Sequence, residues 1–240
     1  MEEKEEVYTA DDRLIVALDV DSFDKMKALV DELGDLVSYY KVGMELYYSA
    51  GSETIHYLKD HGKKVFLDLK LHDIPNTVGH SVASVTRLGV NLITVHAGGG
   101  RAMMQAAARY ARITAEELGV ERPKILAVTV LTSFDDQGWQ EVGGHLPIQD
   151  HVLELAQLAK ESGVDGVVAS PKEASSIRHV LIGFEKADPL IPHIQIKDTD
   201  ALPGLGRLGN HKMLHALPHL GNPKSLPVKP NGGRGYRKML

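Results

Sequence analysis

The chain holds 240 residues, 43% of them hydrophobic and 25% charged, with a formal net charge of −5 and no cysteine. That length and balance suit one large packed core, as in a single-domain α/β barrel, and exclude a disordered chain. The missing cysteine excludes a disulfide framework and thiolate metal sites, and no apolar run approaches the ~20 residues of a membrane span. The acidic opening MEEKEEVYTADD has no apolar stretch of the secretory kind, so a cytoplasmic location is expected.

Residues 13–20 (RLIVALDV) read as a first strand, closing on Asp19 and Asp21. Ser22 is placed to cap a helix in which Phe23, Met26, Leu29, Val30 and Leu33 recur at helical spacing, and Gly34 ends it. Residues 37–42 form a second strand with Lys41 near its end, followed by a helix over 45–61 interrupted at Ala50-Gly51-Ser52. The third strand, 65–69, leads to a helix from about 76 to 88. Residues 91–97 (NLITVHA) are the fourth strand, and Gly98-Gly99-Gly100 opens a long helix ending near Gly119. Residues 124–130 (KILAVTV) are the fifth, running into Leu131-Thr132-Ser133; a loop around Gly143-Gly144 then precedes a helix over 148–162. Residues 164–169 (VDGVVA) are the sixth strand, and Pro171 starts a helix reaching about Leu181. Six βα units in succession predict a parallel sheet, and the length favours a closed (β/α)8 TIM barrel over an open doubly wound sheet. No G-x-G-x-x-G follows the first strand, which also argues against a dinucleotide fold.

The third strand runs into the densest chemistry of the chain, Lys63 to Thr77 (KKVFLDLKLHDIPNT). Strand alternation puts Asp68 and Lys70 on one side, roughly 7 Å apart along the chain. Asp68, Lys70 and Asp73 at the end of an apolar strand are costly to bury unless they pair. A D-x-K triplet alone reads as a surface ion pair at a strand end. In a barrel, however, catalytic groups gather at the C-terminal ends of strands. Polar groups stand at four such ends: Asp19, Lys41, the Asp68–Asp73 group, and Thr132-Ser133. Singly, Asp19 reads as a helix cap, Lys41 as a solvated strand end, and Thr132 and Ser133 as a turn. His96 also ends a strand and is read as a structural histidine. His211, His215 and His219 fall four apart, but Pro218 breaks any helix there and no carboxylate is near, so no metal site is inferred.

The string D-L-K-L-H-D-I-P-N-T resembles the signature of the orotidine 5′-phosphate decarboxylase family, D-x-K-x-x-D-I-x-x-T. Asp68, Lys70, Asp73, Ile74 and Thr77 match it at every fixed position. A relaxed D-x-K-x-x-D is shared with related sugar-phosphate decarboxylases, and the Ile-Pro-Asn-Thr extension carries the distinction. The resemblance covers about residues 13–181, some 70% of the chain. It implies conversion of orotidine 5′-phosphate to UMP in pyrimidine synthesis, without a cofactor. It further implies an alternating array of Lys41, Asp68, Lys70 and Asp73 against the orotate ring, with Lys70 as proton donor. Asp73, Ile74 and Thr77 are implied substrate-side residues, Asp73 and Thr77 reaching into the partner's site of a homodimer. Asp19 and Lys41 would meet the ribose hydroxyls, and Thr132-Ser133 the pyrimidine edge.

After the sixth unit the text changes. Residues 1–200 carry all 32 acidic and 20 of the 27 basic residues, a balance of −12, against +7 for residues 201–240. Seven of the 11 prolines fall beyond residue 181, and Leu, Gly, Pro and His recur there without period 2 or 3.6. The family's T-P-G-I-R, G-D-Q and V-G-R-P-I stretches, which supply the phosphate-holding Gln and Arg, have no counterpart. Gly232-Gly233-Arg234-Gly235 is not preceded by a strand. The chain is therefore expected to comprise a barrel region, 1–181, and a Pro/Gly-rich basic tail, 182–240, of the kind a shifted reading frame would produce. The last two βα units are expected to be missing or replaced, leaving open sheet edges beside strands one and six, with residues 182–240 irregular and any sheet pairing there short. Weak phosphate binding, slow or absent turnover and marginal stability follow from that expectation. A metal-dependent sugar-phosphate decarboxylase or epimerase and a binding-only product are the competing readings. The basic tail has one aromatic, Tyr236, and no stacking platform, so no nucleic-acid partner is expected.

Overall fold

The computed structural model describes residue 12, residues 14–170, 172–181, 194–196 and 214–216. Six strands pair in parallel and in chain order: β1 (Leu14–Ala17), β2 (Tyr39–Gly43), β3 (Lys64–Leu71), β4 (Leu92–His96), β5 (Lys124–Val128) and β6 (Gly166–Val168). Between and after them run α1 (Phe23–Leu33), α2 (Met44–Ala50), α3 (Glu53–Asp60), α4 (Pro75–Thr86), α5 (Gly100–Leu118), α6 (Asp136–Glu141), α7 (Ile148–Glu161) and α8 (Ala174–Leu181). This is the predicted βα succession. Among the described residues no helix is long and apolar enough to cross a membrane.

Period-2 alternation sorts the strand side chains into two apolar layers. Tyr40, Val42, Val65, Leu67, Ile93, Val95, Ile125, Ala127 and Val167 face the helices and join the main core. Ile15, Tyr39, Phe66, Leu92 and Leu126, with Val168 against them, form a separate cluster with one residue from each strand. Six strands can bring one residue each into a single cluster only if the sheet curls, so these side chains are the floor of a partial barrel. Burying each large side chain contributes roughly 1.5–3 kcal/mol.

Local signals set the boundaries. Ser22 accepts the Lys25 N–H at 3.5 Å and caps α1. Gly51 separates α2 from α3 at φ 66°, and Gly119 ends α5 in the left-handed region at φ 65°. The helix α6 was not predicted. Asp135 starts it by accepting the Gly138 N–H at 2.8 Å, inside the stretch read as loop.

The expectation of an open edge beside β1 needs correction. Two three-residue strands, β7 (Ile194–Ile196) and β8 (Leu214–Ala216), extend the sheet to the order β6-β5-β4-β3-β2-β1-β8-β7. β8 runs antiparallel to β1, pairing Leu14 with Ala216 and Val16 with Leu214. These are therefore not βα units of a closed parallel barrel. Such pairing needs only backbone donors and acceptors, and so leaves no hydrophobic period to read. The expected irregularity of the rest of 182–240, including Arg234, Tyr236, His211 and His219, lies outside the described residues.

Candidate active site

Above the apolar floor, the inward positions turn charged. Lys41 lies one step beyond Tyr39 on the inner face of β2, and its residue is only 6% exposed. Its Nζ is 3.0 Å from Asp19 Oδ1 and 3.8 Å from Asp68 Oδ2. Gly43, two residues on, makes room for this pair: a Cβ there would stand 3.2 Å from the Lys41 Nζ. On β3, Lys70 Nζ donates to Asp68 Oδ2 at 2.8 Å. The result is a continuous chain of alternating charge, Asp19–Lys41–Asp68–Lys70, at the C-terminal ends of three adjacent strands.

The geometry at Lys70 departs from simple alternation. Its backbone is left-handed at φ 52°, the one non-glycine residue with positive φ among the described residues. Between Leu67 and Leu71 β3 advances four residues while its partner β4 advances from Ile93 to Val95, so β3 bulges at this point. The left-handed conformation costs a non-glycine residue roughly 1–2 kcal/mol, and such strain and bulges gather where a side chain must be re-aimed. Thr94 supports the bulge from both sides. Its hydroxyl accepts the Lys70 N–H at 2.9 Å and donates to Asp68 Oδ1 at 2.9 Å.

Electrostatics decide the state of Asp68. Burial opposes its ionisation, but the ammonium groups of Lys70 and Lys41 and the hydrogen bonds from Lys70 and Thr94 outweigh that cost. Together they hold the carboxyl below its usual range. Asp68 is thus a fixed negative charge between two cations.

The remaining predicted residues are placed less tightly. Asp73 is exposed, accepts the Ile74 N–H at 2.6 Å, and makes no ion pair with a described residue of its own chain. The predicted Lys–Asp–Lys–Asp array is therefore not completed by this chain's own Asp73; Asp19 occupies the other end. Ile74 is 65% exposed and Thr77 is exposed at the start of α4. Thr132 and Ser133 are exposed beyond β5. Thr132 lines a cavity of about 380 Å³ with Phe134, Ile148, Ser170 and Lys172, at the same end of the sheet as the charged chain. Thr94 was missed by the sequence reading. Its signal was faint: a hydroxyl in an apolar strand, in phase with His96 and facing the Asp68 side.

The family model described as orotidine 5′-phosphate decarboxylase / HUMPS matches residues 12–212, running past the point where the motif reading stops. An orotidine 5′-phosphate decarboxylase of Moorella thermoacetica is 46% identical over 170 residues, covering 70% of this chain and 68% of the relative. One from Rhodopseudomonas palustris is 48% identical over 170 residues, covering 71% and 68%. The crystal structure of orotidine 5′-phosphate decarboxylase from Lactobacillus acidophilus superposes with a TM-score of 0.67 at 41% identity, covering 74% of this chain and 78% of that one. A structure from Geobacillus kaustophilus, of an uncharacterized conserved protein, gives a TM-score of 0.66 at 44% identity, covering 69% and 77%. With the signature string, the curled βα sheet and these matches in agreement, the chain belongs to the orotidine 5′-phosphate decarboxylase / HUMPS family.

Proposed function

We propose that this chain is a carbon–carbon lyase that decarboxylates orotidine 5′-phosphate to UMP in pyrimidine biosynthesis, with Lys70 as the proton donor. The observation that carries the reading is the part-buried Asp68 carboxylate held between the Lys41 and Lys70 ammonium groups. When the C6 carboxylate leaves as CO₂, the C6–C bond pair stays on C6, in a ring orbital with no conjugated sink. Stabilisation must come from fixed charge, and an ammonium held at C6 supplies it. Lys70 then transfers one proton to C6, giving UMP and a neutral amine that regains its proton from solvent. Asp68 is held ionised and so is no proton source; it fixes the ammonium of Lys70 instead. No cofactor takes part in this scheme.

The remaining roles follow the resemblance. Asp19 and Lys41 bind the ribose hydroxyls, and Thr132 and Ser133 the pyrimidine edge. The exposure of Asp73, Ile74 and Thr77 supports service to a neighbouring chain's site in a homodimer, where Asp73 would close the array beyond Lys70. Residues 1–181 are the decarboxylase region and 182–240 a distinct basic tail. Lacking the family's Gln and Arg stretches, the tail leaves the phosphate weakly held, which raises KM and slows turnover. Nucleotide synthesis is soluble metabolism, which supports a cytoplasmic enzyme acting on a small molecule.

The matched model is shared with HUMPS proteins, so a metal-dependent sugar-phosphate decarboxylase or epimerase is the second reading. UMP formation from orotidine 5′-phosphate that is indifferent to EDTA supports the first. Activity on a sugar phosphate that EDTA abolishes supports the second.

A further inference from the structure

Two histidines meet beside the charged chain, and the scheme above uses neither. His96 ends β4, half-buried, and His72 lies on the segment that joins β3 to α4. Their ring centroids are 5.0 Å apart with the planes tilted by 32°. The Gly98-Gly99-Gly100 turn after β4 lets the second ring approach. A Cβ at Gly99 would collide first with the Met103 thioether and would stand 3.2 Å from His72 Cδ2, and one at Gly98 would stand 3.9 Å from His72 Cε1. His72 is itself exposed and rests one side against the His96 ring and the Gly98-Gly99 backbone, which the Met103 side chain also covers. The segment it belongs to runs directly into Asp73, Ile74 and Thr77, all exposed and tied to the core only further along α4.

We propose that His96 is a positioning residue: through its stack with His72 it clamps the Asp73–Thr77 segment onto the end of β4, in register with Lys70. This rests on the reading in which Asp73 and Lys70 serve catalysis. Neither imidazole touches the reacting carbon in this account. The clamp sets where the segment stands.

The clamp works with His96 uncharged. Burial, the neighbouring His72 ring and the Lys70 ammonium all push the His96 pKa below its ordinary 6.5, with Asp68 opposing. Among the described residues, His72, Lys70 and Asp68 are the titratable groups that act on it; its β5 partner in register, Val128, is apolar. The unfolded chain takes up this proton at higher pH than the folded one. The stack is therefore fully in place above about pH 6.5 and is lost as pH falls through the lower folded value.

The test compares the 240-residue chain with His96→Ala and His96→Phe. Phe keeps an aromatic face and cannot titrate. His96→Ala should lower kcat about tenfold with KM within twofold. His96→Phe should recover most of kcat and flatten the acid side of the kcat profile. Ring NMR signals read the contact without turnover: His96→Ala removes the facing ring and should shift the His72 ring proton signals, which His96→Phe should largely restore. Unchanged kcat and acid limb in both variants, or His72 ring signals that do not move in His96→Ala, would overturn the clamp. Lys70→Ala and Asp73→Ala run alongside. If they keep full turnover, the catalytic reading has failed; if they lose it while both His96 variants match the parent, only the clamp has.

Discussion

At the scale of single residues, the chemistry of the site turns on how a part-buried carboxylate stays charged. Asp68 does so through Lys70, Lys41 and the Thr94 hydroxyl. Thr94→Val keeps the shape, removes the donor to Asp68, and orphans the Lys70 N–H. It should cost about 1–3 kcal/mol in urea unfolding and reduce turnover at least tenfold, because the re-aimed Lys70 loses its support. Asp68 has a depressed folded pKa, so its stabilising contribution is complete above the unfolded value and is lost as pH falls through the folded one. The stability gap between the parent and Asp68→Asn should therefore close as pH drops below about 4. A gap unchanged from pH 7 to pH 3 would contradict the ionised state. Asp19, Lys41, Asp68 and Lys70 were legible in the sequence because charged residues at the ends of apolar strands are conspicuous. Thr94 was not, since one hydroxyl in an apolar strand is ordinary, and the left-handed Lys70 was hidden because alternation assumes an unbroken ladder.

At the scale of elements, the barrel wall is held by a few specific contacts as well as by apolar burial. Asp165, before β6, accepts from Arg122 at 2.7 and 2.5 Å and from the Ile125 N–H at 2.7 Å, fastening the starts of β5 and β6. This lies at the end of the sheet away from the charged chain. Asp165→Ala should cost about 1–3 kcal/mol, since it strands a backbone donor while the partly exposed Arg122 guanidinium turns to solvent, and turnover per folded molecule stays near the parent's. On α4, Gly79 lies under the Tyr110 ring of α5, where a Cβ would approach Cδ2 to 2.6 Å. Gly79→Ala should cost about 1–3 kcal/mol through overpacking; thermal unfolding reads it directly. The helical stripes of α1, α5 and α7 were legible from spacing, and the α2–α3 break from Gly51. The short β7 and β8 were not, because pairing over three residues depends on backbone geometry rather than on side-chain pattern.

For the whole molecule, the placement of Asp73 predicts an active dimer. Mixed dimers of Lys70→Ala and Asp73→Ala chains contain one site with both residues intact, so activity should return to roughly one site per dimer. No recovery in verified mixed dimers would rule out shared sites. The central claim is that the alternating charges ending in Lys70 perform the decarboxylation. The most direct measurement is UMP formation from orotidine 5′-phosphate by the 240-residue chain, held in excess over substrate so that weak phosphate binding does not mask chemistry, beside Lys70→Ala. The account predicts UMP above the enzyme-free control with the parent chain and none above it with the variant, both giving the same circular dichroism. UMP formed at comparable rates by both chains would contradict it.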